Sequence, residues 1–357
     1  MMQNRYFGDN SVGDATSISD AARNGRRNSL AGRTVLVTGA DGFIGSHLAE
    51  ALVRSGANVR AFCLYNSNSS LGWLDRADPE VRGALEVRLG DIRDARFVEA
   101  ACADVEIVFH LAALIAIPYS YAAPASFVDT NVTGTLNVLE ATRRAGCTRM
   151  IQTSTSEVYG TPENLPIRET HPLRGQSPYS ASKIAADKLC EAYFSSFETP
   201  VVTLRPFNTY GPRQSARAVI PTILAQLLSG RKTVKLGSLS PRRDLTFVSD
   251  TVSGFLAAAG ADGIEGRTIQ LGTGRSESIG DVFDAACRAV GVDATVEQSE
   301  LRIRPGRSEV MVLQSDPAVA RELLGWTARV SLEDGLRTTA EWMRGNLNYF
   351  RPDEYAV

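Results

Sequence analysis

The feature that most constrains this chain lies near its start. Val35-Leu36-Val37 is followed at once by Thr38-Gly39-Ala40-Asp41-Gly42-Phe43-Ile44-Gly45. A short continuous apolar run is the mark of a strand buried on both faces of a parallel sheet. After the glycines, Phe43, Ile44, Leu48, Ala51, Leu52 and Val53 recur at helical spacing up to Gly56, and Val59 to Leu64 predicts a second strand. Strand, glycine turn, helix and strand over so short a span make a right-handed βαβ unit. In such a unit one glycine permits the tight turn, one lets backbone approach a pyrophosphate and one lets the helix pack on the strand, while the helix N-terminus offers N–H groups to an anion. Gly39, Gly42, Phe43, Ile44 and Gly45 are therefore candidate dinucleotide contacts.

The alternation continues through Leu85 to Leu89, a helix over Ala95 to Ala103, Ile107 to Leu111, a long helix over Ser126 to Ala145, Met150 to Thr153, a helix over Pro178 to Phe197 capped from Ser177, and Val201 to Arg205. This predicts an α/β fold, a Rossmann-type doubly wound parallel sheet over 32–205. Beyond Pro206, prolines and glycines cut the chain into short pieces, as in a smaller C-terminal α/β substrate lobe made from 206–243 and 274–345. Residues 244–273 return to the first domain, with Thr268 to Leu271 as one more buried strand. Residues 1–31 read as a disordered extension.

The 357 residues carry 38 basic against 40 acidic side chains, with no basic block to condense onto a nucleic acid or an anionic membrane. The apolar run Leu111 to Ile117 stops at Pro118, far short of the ~18 residues that cross a bilayer. Five cysteines without a Cys-x-x-Cys spacing argue against a disulfide framework or a thiolate zinc site, and point to a reducing, cytoplasmic setting. With three histidines and no His-x-x-x-His pair, a metal site is not expected.

The second strand ends Leu64-Tyr65-Asn66-Ser67. Neither the acidic residue that ordinarily takes the ribose 2′-hydroxyl nor an arginine for a 2′-phosphate stands there, so Tyr65 and Asn66 are the candidates, with NAD ahead of NADP. Asp91 and Ile92, after the third strand, can meet the adenine edge, or Asp91 can serve as a cap.

Tyr179 and Lys183 stand at i and i+4 of a predicted helix, on one face. An ammonium beside a phenol lowers its pKa and lets it take a proton from a substrate hydroxyl while hydride leaves the same carbon for a nicotinamide. Thr155 falls at the end of a predicted parallel strand, where such sheets bind ligands.

Through Thr38-Gly39-x-x-Gly42-x-x-Gly45, His110-Leu111-Ala112-Ala113, Asn131-Val132-x-Gly134-Thr135, Thr155, Tyr179-x-x-x-Lys183 and Arg205-Pro206-x-Asn208-x-Tyr210-Gly211-Pro212, the chain resembles the extended short-chain dehydrogenases/reductases. Within them, Ser154-Thr155-Ser156-Glu157-Val158-Tyr159-Gly160 is similar to the GDP-mannose 4,6-dehydratases. Gly72-Trp73-Leu74-Asp75, Ile117-Pro118-Tyr119-Ser120 and Pro212-Arg213-Gln214-Ser215-Ala216-Arg217 resemble the nucleotide-N-acetylglucosamine 4,6-dehydratases of legionaminic-acid-type pathways.

The resemblance implies an NAD-dependent enzyme acting on a UDP- or GDP-linked sugar. It oxidises C4, eliminates water across C5 and C6 with Glu157 as the C5 base, and returns hydride to C6. Glucose-type dehydratases carry an aspartate where Ser156 stands, so the C6 acid is either Ser156 as a relay or Glu157 in both steps. Leu111, Ala112, Ala113, Asn131, Tyr179 and Lys183 are implied cofactor contacts. Ser120 and Tyr121 are candidates for the sugar pocket, and Asn208, Arg213, Arg243 and Arg304 for the diphosphate. A homodimer through the two long helices is also implied. Three readings compete: a UDP-glucuronate decarboxylase, a 4-epimerase, and a silent dinucleotide-binding protein with no chemical need of Thr155, Tyr179 and Lys183. A simpler role for Glu157 is a strand-end carboxylate paired with Arg174.

Overall fold

The computed structural model describes residues 30–302 and 309–350. Residues 1–29 and Arg304 lie outside the described residues. Leu30, assigned above to the extension, is buried in the main core, and the Gly32 N–H donates to the Gly56 carbonyl at 2.8 Å.

The first βαβ unit is strand β1 (Thr34–Thr38), helix α1 (Phe43–Arg54) and strand β2 (Asn58–Leu64). There follow β3 (Glu86–Gly90), α2 (Ala95–Cys102), β4 (Ile107–His110), α3 (Ile117–Ala122), α4 (Gly134–Ala145), β5 (Arg149–Thr153), α5 (Pro178–Phe197) and β6 (Val201–Pro206). Beyond them come β7 (Asn208–Tyr210), α6 (Val219–Leu228), β8 (Thr233–Leu236), β9 (Arg242–Arg243), β10 (Leu245–Phe247), α7 (Val248–Gly260) and β11 (Thr268–Leu271). The last elements are β12 (Glu277–Ser278), α8 (Ile279–Val290), β13 (Thr295–Gln298), β14 (Val312–Leu313) and α9 (Leu332–Arg344).

The central sheet runs β11-β6-β5-β4-β1-β2-β3 with every neighbouring pair parallel. The chain works outward from β1 to β3, then crosses back to β4 and works outward the other way. The strand order thus reverses between β1 and β4, and a crevice opens at the carboxyl ends there. Val35, Leu36 and Val37 have no exposed surface, which is why this strand reads as unbroken apolar sequence rather than alternation. The small sheets β10-β7, β13-β8 and β12-β9-β14 lie in the C-terminal half. None of the described helices is long and apolar enough to cross a membrane.

The long helix expected over Ser126 to Ala145 is interrupted. A turn over Pro124–Phe127 passes through a π-helical segment, Val128–Thr133, before α4 begins. The reason is Asn131, buried in that segment. Its Oδ1 accepts from the Leu114 N–H at 2.8 Å, and its Nδ2 donates to the Leu114 carbonyl and to Ser182 Oγ, both at 2.9 Å. Widening by one residue turns Asn131 inward to tie the loop after β4 to α5.

Candidate active site

At the end of β1 the backbone of Gly39 turns with φ +70°, and a Cβ there would stand 2.8 Å from the Ala112 nitrogen. A Cβ on Gly45 would stand 2.0 Å from the Gly39 carbonyl oxygen, so only glycine lets α1 start this close to the strand. Helix α1 has no side-chain cap on its N-terminus and no acidic residue in its first turn. Its leading N–H groups, from Phe43 and Ile44 on, suit a pyrophosphate.

The loop after β4 is fastened to the same turn. Thr38 Oγ1 accepts from the Leu111 and Ala112 N–H groups, both at 3.1 Å, so its proton is free for His110 Nδ1 at 2.8 Å. The histidine proton then sits on Nε2 and donates to Thr135 Oγ1 at 3.2 Å, which in turn donates to the Asn131 carbonyl at 2.6 Å. Burial lowers the His110 pKa to about 3, so the ring is neutral.

Several expected cofactor contacts have other partners. Asn131 has its amide occupied at both ends by Leu114 and Ser182, and braces the loop rather than presenting itself to a ligand. Asn66 closes its own loop, donating to the Leu64 and Ser70 carbonyls and accepting from the Asn68 and Ser70 N–H groups. Tyr65 is exposed. Asp91 pairs with Arg93 at 2.5 Å and accepts its N–H, while the cap of α2 is Asp94, which accepts from the Arg96 and Phe97 N–H groups. Ile92 is buried against Gly134, its carbonyl taken by Asn137.

The chemical centre gathers at the ends of β5 and α5. Ser177 and Ser180 form a capping box around Pro178, fixing the first turn of α5. Tyr179 follows, 7% exposed, its ring walled by Ile117 and by Phe127 edge-on at 6.2 Å. Thr155 caps the short 3-10 turn Ser156–Tyr159, accepting from the Glu157 N–H at 3.2 Å. Burial raises the Tyr179 phenol above its ordinary pKa, a hydrogen bond with Thr155 draws it back, and Glu157 and Asp187 push it up. Thr155, Glu157 and Tyr179 therefore share one place. Among the described residues Glu157 has no ion pair: Arg174, the alternative partner, is bonded to Glu163. Ser156 is buried beside it.

Lys183 departs from expectation. It is 4% exposed, and its Nζ donates to the Thr153 carbonyl at 2.6 Å, with Asp187 the strongest charge acting on it. It does not lower the Tyr179 phenol here, because its ammonium is drawn to the strand end. Burial lowers the pKa of Lys183 itself.

The residues expected to hold the sugar nucleotide are less concentrated. Asn208, just past β6, has a buried Oδ1 with no donor. Arg213, with φ +70°, has its guanidinium 2.6 Å from the buried Glu50 on α1. Arg243 is buried, donating to Glu309 at 2.8 Å and to the Val310 carbonyl at 2.7 Å. Ser120 donates to the Ile117 carbonyl within its own helix, and Tyr121 is exposed.

A buried network beneath the centre escaped the sequence reading. Asp187 Oδ2 accepts from Ser154 Oγ at 2.7 Å and from both Nε and Nη2 of Arg205, at 3.1 and 2.9 Å. Arg205 also reaches the Tyr159 hydroxyl at 3.0 Å, to which Gln270 donates at 2.6 Å. The signal was available: Asp187 lies one turn beyond Lys183 and two beyond Tyr179 on the same helix face.

Fold and site together define an α/β protein of the extended short-chain dehydrogenase/reductase type. The family model described as GDP-mannose 4,6 dehydratase matches residues 36–339, and the chain belongs to that family. It is 34% identical over 323 residues to the dTDP-glucose 4,6-dehydratase of Streptomyces griseus, covering 89% of this chain and 96% of the relative. It is also 34% identical over 316 residues to the UDP-glucose 4-epimerase of Mycolicibacterium smegmatis, covering 87% and 98%. Among solved structures it resembles DesIV, the dTDP-glucose 4,6-dehydratase of Streptomyces venezuelae crystallised with NAD. The TM-score is 0.80 and the identity 29%, with 89% and 99% of the two chains covered.

Proposed function

We propose that this protein is an NAD-dependent nucleotide-sugar 4,6-dehydratase, converting a UDP- or GDP-linked hexose or N-acetylhexosamine to its 4-keto-6-deoxy form. One observation carries the reading: Glu157, a carboxylate without an ion pair among the described residues, lies on the same turn as Thr155 and acts electrostatically on Tyr179. Oxidation at C4 alone calls for the tyrosine and threonine, whereas elimination across C5 and C6 needs a further base.

The uncapped start of α1 and the Gly39–Gly45 cradle fit a dinucleotide pyrophosphate. When bound, NAD supplies hydride exchange, accepting from sugar C4 and returning to C6. The rest is the work of this chain. Thr155 and Tyr179 orient the C4 hydroxyl, and Tyr179 takes its proton as the phenolate, a form that burial disfavours and the hydrogen bond with Thr155 favours. Glu157 then removes the C5 proton, which the C4 ketone has acidified. A proton reaches the departing C6 hydroxyl from Glu157 itself or through the neighbouring Ser156, and C5 takes up a proton again when C6 is reduced, replacing the one Glu157 removed. Lys183 holds the Thr153 end of β5 in register with α5. The sugar nucleotide occupies the crevice between the sheet edge and a lobe built from 206–243 and 274–345, with Asn208, Arg243 and Arg304 as its proposed contacts.

A homodimer accords with exposed Leu136 on α4 and with Phe194 and Phe197 on α5. A cytoplasmic setting accords with cysteines that are all unpaired. Incubating the protein with UDP-GlcNAc, GDP-GlcNAc and UDP-glucuronate and weighing the products tests the reading. Loss of water from one of them is expected; loss of carbon dioxide, inversion without mass change, or no reaction each points to a competing function.

A further inference from the structure

Strand β2 ends without the carboxylate that normally receives the adenosine ribose, and the residues next to it do not replace it. Asn66 has its amide occupied at both ends within its own loop. Tyr65 points to solvent with most of its surface exposed. A carboxylate is nevertheless present at this strand end, from the glycine turn rather than the strand: Asp41 Oδ2 accepts from the Leu64 N–H at 3.3 Å.

The surroundings hold Asp41 in place. The Trp73 N–H donates to its carbonyl at 3.0 Å, and Gly72 lies so close that a Cβ there would stand 2.4 Å from the same oxygen and 2.9 Å from Asp41 Cβ. The loop after β2 is therefore closed onto Asp41. Among the described residues Asp41 has no ion pair, and no lysine or arginine occurs between Leu64 and Gly72. Asp41 and Asp75 both act electrostatically on the Cys63 thiol, which places two carboxylates near the end of β2. Asp75 is tied into its own loop through the Ser70 hydroxyl and the Leu71 N–H, whereas Asp41 stands on the glycine turn beside the uncapped start of α1.

We propose that Asp41 reads the 2′-hydroxyl of the adenosine ribose and makes this chain selective for NAD over NADP, an assignment that rests on the dinucleotide site proposed above. A carboxylate accepts a hydroxyl proton in a charge-assisted bond. A 2′-phosphate in the same position would meet Asp41 and Asp75 with no cation from this loop to offset them. The acidic residue has in effect moved from the end of β2 to the turn after β1, and the two positions adjoin in space because β1 and β2 are paired.

Calorimetric binding of NAD and NADP to the wild type and to Asp41→Asn, with circular dichroism to check folding, tests this. The wild type should bind NAD at least about tenfold more tightly than NADP, and Asp41→Asn should weaken NAD by about ten- to a hundredfold, collapsing the preference. An unchanged preference in a folded Asp41→Asn that still binds NAD overturns the role of Asp41 and leaves the dinucleotide site standing. A wild type that binds neither nucleotide removes the site and this assignment together. Should the variant not fold, wild-type binding of NAD lacking the adenosine 2′-hydroxyl decides: a loss of about tenfold supports the assignment, and equal affinity refutes it.

Discussion

Glu157 and Tyr179 divide the chemistry between them, and their substitution should separate its steps. Tyr179→Phe removes the proton acceptor for C4 oxidation while leaving the apolar wall of Ile117 and Phe127 intact, and should lower turnover by about a hundred- to ten-thousandfold with folding unchanged. Glu157→Gln keeps the first step and loses the second. Reduced nicotinamide should accumulate on the enzyme, visible in its absorbance, with little dehydrated product. Full dehydration by Glu157→Gln would discard the role given to it. These residues were legible in the sequence because their types and spacing are themselves the chemistry. Partner choice was not: Arg174 stood near enough in sequence to be assigned to Glu157, whereas loop geometry gives it to Glu163. For Arg213 the approach of α1 supplies a partner, Glu50, that the sequence does not announce. The Arg213 pairing depends on a contact between residues far apart in the chain, which no local pattern encodes.

Helix α5 carries the centre, and the buried pair beneath it fixes the helix to β5 and β6. Asp187 and Arg205 are 1% and 3% exposed, so removing one partner strands a charge in a nonpolar interior. Asp187→Asn should destabilise the protein by about 3–5 kcal/mol in urea unfolding, and a joint Asp187→Leu, Arg205→Met replacement should recover much of that loss. The same joint replacement should still leave turnover low, since Ser154 loses its anchor next to Thr155. The element was plain in sequence, with Ser177 and Phe197 marking its ends as the structure has them. Helix α4 was not, because the apolar positions between Ser126 and Ala145 do not show where one turn widens by a residue. What widens it is Asn131, whose amide is satisfied by a loop and a helix outside its own segment.

For the whole molecule, the parallel sheet follows from apolar runs that only double-sided burial explains, and the crevice follows from the reversal between β1 and β4. The fold also builds in a sensitivity to acid. His110 joins β1, β4 and α4 as a neutral ring with its pKa lowered to about 3, against 6.5 in the unfolded chain. Below pH 6.5 the unfolded state therefore binds a proton that the native state refuses. This contribution is complete above about pH 6.5 and falls away progressively toward pH 3, by an amount on the order of 5 kcal/mol. Urea midpoints across that range should drop more steeply for the wild type than for His110→Gln, which starts lower at neutral pH but lacks the titration. Parallel curves would remove the histidine from this account.

In the proposed reaction one pocket oxidises, eliminates and reduces the same sugar. Its most direct test is a nucleotide sugar deuterated at C4, turned over by the wild type in ordinary water and examined by mass and proton spectra. The deuterium should reappear in the C6 methyl group of a product lighter by one water. Deuterium found again at C4 of an inverted sugar, or lost to the medium, would contradict it.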